Sequence, residues 1–502
     1  MLPVHGSRAG GVFVRLAAIL VGVVSTAPAA CLPYRSTLRS DAQTFVPDRY
    51  ASGDDGAGGR VPRDGRRLAL GAESPRSDTP ARNWWQLFGD PALDDLVERA
   101  RAASPQLLVA RARADQALAA RDQIAAGRWW PQVSAQIEVS RRRQNVSLPE
   151  PLGTRVVETD TFSASVPVAW ELDVFRRVDA AVRGAELDAR AAAEETRALE
   201  TSVAAAVVEA WLDVVHQRAL ARLLDEQLET QRTYLELLEL RFAQGLSSAL
   251  DVFTQRQQLD ATRAQRAATE GAERQAIVRL ALLVGIAPGE LDVGTRDELP
   301  EPPRPFDPGA PSDLLRNRPD VRAARARLEA ADRRVGAAVA ERWPRLVLTG
   351  SFGWSSPELR SVLERWSYSV GGSLSVPLVD GGRRAAAVEQ AEAVARERLH
   401  QLAQVLLTAL SEVESALAAE RSQREVIAAL EARRDSAAAT LREARERYAA
   451  GLLGDYLPVA TALGAVHATE QQLLLARRQL LSHWVQLVRA LGGTLPAQAN
   501  SP

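Results

Sequence analysis

Between Arg383 and Gly451 the chain runs close to seventy residues without an internal Gly or Pro, and it is built from Ala, Leu, Glu, Arg and Gln. These are strong helix formers. Apolar residues fall at Leu399, Leu402, Leu406, Leu410, Val413 and Leu417, spacings of three and four that put them on one helical stripe. At ~1.5 Å per residue the spacing predicts a helix on the order of 100 Å long. It ends at Arg447-Tyr448-Ala449-Ala450-Gly451-Leu452, where Gly suits the left-handed residue beyond a helix end. A return helix follows from about Tyr456 to Leu491. The same design occurs earlier. A helical pattern starts at Val178, is interrupted only by Gly184, and reaches Arg241-Phe242-Ala243-Gln244-Gly245-Leu246; its return helix ends near Val284-Gly285. Two long hairpins with matching tips predict an internal duplication.

The formal net charge is -1, which offers nucleic acid no electrostatic footprint. Residues 1–30 read as a signal peptide: Arg8 and Arg15 precede an apolar run, then Ser25-Thr26-Ala27-Pro28-Ala29-Ala30-Cys31. Cys31 is the only cysteine, so neither an intramolecular disulfide nor a multi-cysteine metal site is available. Its position resembles a bacterial lipobox, in which the thiol receives lipid, although Pro28 stands where Leu is usual and Ala27-Pro28-Ala29 also suits ordinary signal peptidase. Beyond the leader no segment approaches the ~20 apolar residues of a spanning helix, so any crossing is expected from strands.

Residues 31–83 read as an anchor and linker. A first repeat over 84–288 opens on Trp84-Trp85 and a short helix; Ser104-Pro105 then starts a second helix that Pro131 stops. The period next changes to two. Val133, Ala135, Ile137 and Val139 alternate with polar residues, predicting a strand near 131–141. A polar loop with Arg141-Arg142-Arg143 precedes a second strand near 160–171. A Pro-rich connector spans 289–317. The second repeat, 318–493, restarts at Arg318-Pro319-Asp320. Its strands are expected near 344–354, with Leu346, Leu348 and Phe352 on one face, and near 366–378; a tail covers 494–502. Each repeat thus reads helix, strand, strand, long helix, return helix.

Alternating strands of about ten residues can cover the apolar band of an outer-membrane barrel; a half-buried soluble sheet uses the same alternation. Export, the pairing of strands with very long helices, and Trp130, Trp170, Trp343 and Trp366 near strand ends favour the membrane. Four strands cannot close a barrel, and lipid tolerates no open edge, so several chains must share one. Three copies would give twelve strands. The five His residues show no metal-ligand spacing, and neither a phosphate loop nor a nucleophile elbow is present. The chain reads as no enzyme, with no cofactor and no metal. Glu194-Glu195 and Glu412/Glu414 are read as solvated helix faces.

The residues resemble the TolC-like outer-membrane factors of tripartite efflux pumps, in particular the NodT-like lipoprotein branch. The resemblance covers about residues 84–493. It rests on Trp84-Trp85 with Phe88-Gly89-Asp90-Pro91, Trp170-Glu171-Leu172-Asp173, Arg241-Phe242-Ala243-Gln244-Gly245, Arg318-Pro319-Asp320-Val321, Val376-Pro377-Leu378 with Asp380-Gly381-Gly382-Arg383, and Arg489-Ala490-Leu491-Gly492-Gly493. It implies a mainly α fold with a transmembrane β-barrel. Long hairpins would form a periplasmic tunnel, and four strands per chain would join a shared twelve-stranded barrel in a homotrimer. It further implies an outer-membrane, lipid-anchored location, and tips that meet a periplasmic adaptor bound to an inner-membrane transporter of the resistance-nodulation-division type. The expected tip and aperture residues are Gly245, Leu246, Asp251, Gly451, Leu452, Tyr456 and Thr461; Asp251 fits equally a carboxylate that serves its own helix N-terminus. The second tip reads one residue longer than the first, with Thr461 about where an aspartate is common in the family. A protein-secretion channel would share the whole fold, and a periplasmic adaptor would share the hairpins without the strands.

Overall fold

The computed structural model describes residues 83–147, 154–303 and 317–494. Cys31, the leader, most of the 31–83 linker, residues 304–316 of the connector and the tail beyond Thr494 lie outside the described residues. A 3-10 turn, Trp84–Phe88, leads into α1 (Pro91–Ala103) and α2 (Pro105–Trp129). Strands β1 (Gln132–Val133), β2 (Gln136–Ser147) and β3 (Thr154–Leu172) follow, then α3 (Arg177–Ala243) and α4 (Ala249–Val284). The order repeats as α5 (Pro319–Ala340), β4 (Arg345–Ser356), β5 (Trp366–Ser375), α6 (Arg383–Ala449) and α7 (Leu457–Ala490). The two long helices, α3 and α6, have 67 residues each.

The described residues fall into two compact units. The first holds residues 117–189 and 327–399 and contains the sheet. All pairings are antiparallel, with β4 between β3 and β5, and with β1 and β2 successively on the other edge of β3. The first strand departs from the sequence reading in two ways. It is broken at Ser134-Ala135, which leaves Ala135 outside any strand, because that register faces Pro167, whose nitrogen has no hydrogen to give the ladder. It also continues to Ser147, where a polar loop was expected. Arg141 lies opposite Asp160 and Arg143 opposite Glu158, with ion pairs of 2.6 and 3.3 Å. Cross-strand opposite charges carry the ladder beyond its apolar stretch. Strand β3 accordingly begins at Thr154 rather than near 160. Strand β5 stops at Ser375, two residues before Pro377, which has no N–H to extend the ladder. Gly353 permits the closest approach in the sheet: a Cβ there would lie 2.6 Å from the Ala164 carbonyl oxygen.

The strand-to-helix turns use one device twice. The Asp173 carboxylate accepts the N–H groups of Val178 and Asp179 at 2.9 and 2.6 Å; Asp380 accepts those of Gly382 and Arg384 at 3.1 and 3.3 Å. Both satisfy helix-entry N–H groups that the first turn leaves over.

The second unit holds residues 83–116, 190–303, 317–326 and 400–494. Its core gathers Trp84, Trp85 and Phe88 with Trp211 of α3 and Trp484 of α7. Phe88 meets Trp484 edge-on at 5.4 Å and Trp211 at 6.3 Å. The Trp84-Trp85 pair thus anchors the segment that precedes α1. Two carboxylates expected on solvated faces are instead buried or paired. Glu194 is buried and held by Arg322 at 2.6 Å, and Glu412 is held at 2.7 Å by buried Arg318, which also binds Asp320 and the Ala490 carbonyl. The expectation that no segment after the leader is apolar enough to span also needs correction. Helix α6 contains an 18-residue window of mean hydropathy 1.3. Only 22% of that window is buried.

Candidate functional site

Two surfaces carry the sequence-derived candidates, and the first is the sheet. The register places Val133, Ile137 and Val139 on the same face as Phe162, Ala164, Val166, Val168 and Trp170 of β3. It adds Leu346, Leu348, Phe352 and Trp354 of β4, and Trp366, Tyr368, Val370 and Leu374 of β5. The other face carries Gln132, Gln136 and Glu138, then Ser163 and Ser165, Thr349 and Ser351, and Ser367, Ser369 and Ser373. From Val133 to Val139, and across β3, β4 and β5 from Phe162 onward, one face is therefore apolar and aromatic, with the Arg141–Asp160 and Arg143–Glu158 pairs extending that same face as charge, and the other face is largely small and polar. The apolar face lies largely open: Ile137 is 84% and Val370 84% exposed, and Trp366 stacks on Tyr368 at 6.3 Å. Leu346 is half-buried, and Leu348 and Phe352 are exposed. Among the described residues, β2 pairs only with β3 and β5 only with β4, so both sheet edges are free.

The second surface is the pair of hairpin tips. Gly245 and Gly451 sit at φ 74° and 71°. In both, the next N–H reaches back five residues: Leu246 to the Arg241 carbonyl at 2.8 Å and Leu452 to that of Arg447 at 2.9 Å. This is the Schellman closure of a helix end. A Cβ at either Gly would meet no atom within 4 Å, so the φ angle alone demands glycine. Leu246 and Leu452 are exposed, as are Phe242, Leu250 and Phe253 of the first hairpin and Leu457 of the second.

Beside the tips the two hairpins share a small core of Leu238, Val252, Leu441, Tyr448, Tyr456, Val459 and Leu463. Asp251 is buried against it and works as a cap. Its Oδ2 accepts the Ser248 N–H at 3.0 Å and the Ser247 hydroxyl at 2.9 Å, while its own N–H binds Ser248 Oγ at 3.2 Å. Its Oδ1 accepts the Tyr456 N–H at 3.4 Å. Burial pushes the Asp251 carboxyl upward, but the hydrogen bonds from Ser248, Ser247 and Tyr456 outweigh that and hold it below the ordinary carboxylate value. Tyr456 is 1% exposed; its phenol donates to Gln255 Oε1 at 3.2 Å and is pushed above the usual phenol range by burial and then by Tyr448. Thr461 is exposed and donates only to the Leu457 carbonyl one turn back, at 2.8 Å. The structure thus joins Asp251 to Tyr456 and leaves Thr461 apart. Sequence reasoning missed Gln255, whose carbonyl end completes that joint. Its only signal was a Gln in the first turns of α4.

A sequence model of the outer membrane efflux protein family matches residues 96–286 and 310–493. The toluene efflux pump outer membrane protein TtgF of Pseudomonas putida is 29% identical over 433 residues, covering 85% of this chain and 88% of its own length. Outer membrane protein OprJ of Pseudomonas aeruginosa is 30% identical over 423 residues, 82% of this chain and 86% of its own. Among solved structures, the outer-membrane channel OprN aligns with a TM-score of 0.75 at 29% identity, over 82% of this chain and 92% of that one. With long paired helical hairpins, a sheet apolar on one face, and a family match over most of its length, the chain belongs to the outer membrane efflux protein family and has the TolC-like channel fold.

Proposed function

We propose that three copies of the chain form one outer-membrane channel, each contributing its sheet to a twelve-stranded barrel, and that the channel passively conducts substrates delivered by a periplasmic adaptor and an inner-membrane transporter. The observation that carries this reading is a sheet with an apolar band running across one face of all its strands, and with two free edges. An open edge is not tolerated in hydrocarbon, and joining β2 of one copy to β5 of the next removes every edge. From Phe162 to Leu172 the apolar alternation covers eleven residues; tilted by ~40° it spans about 25 Å, the height of a barrel's lipid-facing band. The Ser-rich face then lines the pore. The sparsely buried apolar window of α6 belongs with this reading, since a neighbouring copy would cover it.

In this arrangement Val133, Ala135, Ile137, Val139, Leu346, Leu348 and Phe352 meet lipid. Gly245, Leu246, Gly451 and Leu452 present the tips to the adaptor, and Asp251, Tyr456 and Thr461 stand at the periplasmic aperture. Cys31 carries the lipid anchor, which labelled palmitate on the mature protein tests directly. The barrel is tested by Arg substitution. Ile137→Arg should cost about 2–4 kcal/mol and lower the yield of heat-resistant trimers, against little for Gln136→Arg. Equal tolerance at the two positions would return the sheet to a soluble role.

A further inference from the structure

A cavity of about 210 Å³ lies within the second unit, between α3 and α4 of the first hairpin and α7 of the second. Its polar lining is mostly amide, Gln227 and Gln231 from α3, Gln255 and Gln265 from α4 and Gln471 from α7, with the His467 imidazole of α7 among them and small residues and Leu463 filling much of the rest. The polar groups form a hydrogen-bonded series. Gln265 donates to Gln471 at 2.9 Å, Gln471 to Gln227 at 2.9 Å, and Gln227 to Glu470 at 3.0 Å. Gln231 Nε2 stands 3.3 Å from His467 Nδ1, and the Gln255 amide donates to the Gln231 main-chain carbonyl at 3.0 Å. Gln255 is also the acceptor of the Tyr456 phenol, so the series ends at the Asp251–Tyr456 joint. With Gln231 Nε2 donating, His467 Nδ1 is the acceptor and the ring proton sits on Nε2. Burial holds its pKa down at about 4. Gln231 is 4% exposed, yet its Oε1 makes no hydrogen bond within the protein.

The seam differs from what flanks it. On one side lies the Trp211–Trp484 core and on the other the Tyr456–Leu463 cluster, both apolar. Parting apolar surfaces costs free energy in proportion to their area. Parting amides exchanges protein hydrogen bonds for hydrogen bonds to water at little net cost. A polar cavity with an unsatisfied buried carbonyl is the environment that retains water.

We infer that this cavity is a hydration site, holding about seven water molecules at ~30 Å³ each, and that the hydrated seam is the joint at which the tip cluster moves against the rest of the helical bundle. Water bound to Gln231 Oε1 completes the network and replaces amide contacts as they open. The functional half of this inference rests on the reading of the tips as the channel's periplasmic aperture.

Drying the seam should lock the joint. The full-length trimer in detergent is compared with the Gln231→Leu/His467→Leu double variant and with Gly464→Leu, which enters the cavity from a position where a Cβ meets no atom within 4 Å. Hydrogen–deuterium exchange over residues 449–463 should slow at least tenfold, and spontaneous channel openings in planar bilayers should fall by a similar factor. Slowed exchange with unchanged openings would uphold the joint and overturn the aperture reading. Exchange that is unchanged or faster in the variants that form trimers would overturn the joint, whatever the channel does. If the double variant fails to assemble, Gly464→Leu decides, because it leaves every member of the network in place.

Discussion

The first hairpin turns between Ala243 and Ala249 through five residues, 244–248, and the second between Ala449 and Leu457 through seven, 450–456. The sequence suggested a difference of one residue; it is two. Up to the glycine the tips are equivalent, with the same left-handed residue and the same five-residue closure. After it they diverge. The first return helix opens with a complete capping box between Ser248 and Asp251. The second opens at Tyr456, which is in a helical conformation and whose side chain caps nothing, and the Asp455 carboxylate accepts the Leu457 N–H at 3.2 Å. The Tyr456 N–H is taken by Asp251 of the other hairpin and its ring by the shared core. The first tip is therefore capped wholly from within, while the second is capped partly by its own Asp455 and partly by Asp251 of the first. A duplicated turn survives because its hydrogen bonds are local; the asymmetry arises where one copy took a partner from outside its own sequence.

If the second tip depends on that partnership, Tyr456→Ala should be the most damaging change, costing about 3–5 kcal/mol as a buried aromatic is truncated. Chemical denaturation in detergent reads this directly. Leu246→Ala, on the exposed first tip, should stay within about 0.5 kcal/mol. Equal losses would erase the asymmetry.

Acid should loosen the shared seam next. His467 is held near 4 in the folded chain against an ordinary value of 6.5, so between those limits the unfolded chain binds the extra proton. Stability then rises with pH and is lost as pH falls from 6.5 towards 4, at up to about 1.4 kcal/mol per unit. The facing Gln227, Gln231, Gln255 and Gln265 carry no charge; Glu470, on the same helix, is the nearby acid. His467→Gln should flatten part of this slope, with the remainder falling to His216, whose pKa burial and then Arg478 also lower. An unaltered pH profile would mean that His467 does not titrate across folding.

Asp251→Ala removes a cap from one hairpin and a partner from the other. A loss of about 1–2 kcal/mol is expected, together with larger single-channel conductance in assembled trimers. Ser248→Ala should cost about 1 kcal/mol through the first helix alone and leave conductance nearer wild type. If the two variants conduct alike, Asp251 acts only as a cap.

The smallest effect separates backbone from contact. Gly245→Ala and Gly451→Ala should each cost about 1–2 kcal/mol or less, and by the same amount, because the left-handed φ is shared and neither Cβ meets a neighbour. Thr461→Ala should be silent in stability, since its hydroxyl only bonds back to its own helix. A marked difference between the glycines would show that the tips are not locally equivalent.

Both long helices, both return helices and both glycine turns were legible in the sequence, because each depends on residues within a few positions of one another. The alternation at Val133–Val139 and Leu346–Phe352 likewise announced which side chains share a face. The break at Ser134-Ala135 was not legible, since its cause, Pro167, lies on the opposing strand. Nor was the strand character of Arg141–Arg143, which needs Asp160 and Glu158 across the ladder. Glu194 and Glu412 read as solvent-facing until Arg322 and Arg318 came beside them. Asp251 was ambiguous between aperture and cap for the same reason: its partner Tyr456 is 205 positions away. Periodicity and glycine placement, local properties of the chain, determined the elements. Tertiary packing alone decided which polar groups are paired, because burial and charge neutralisation depend on neighbours that sequence distance does not reveal.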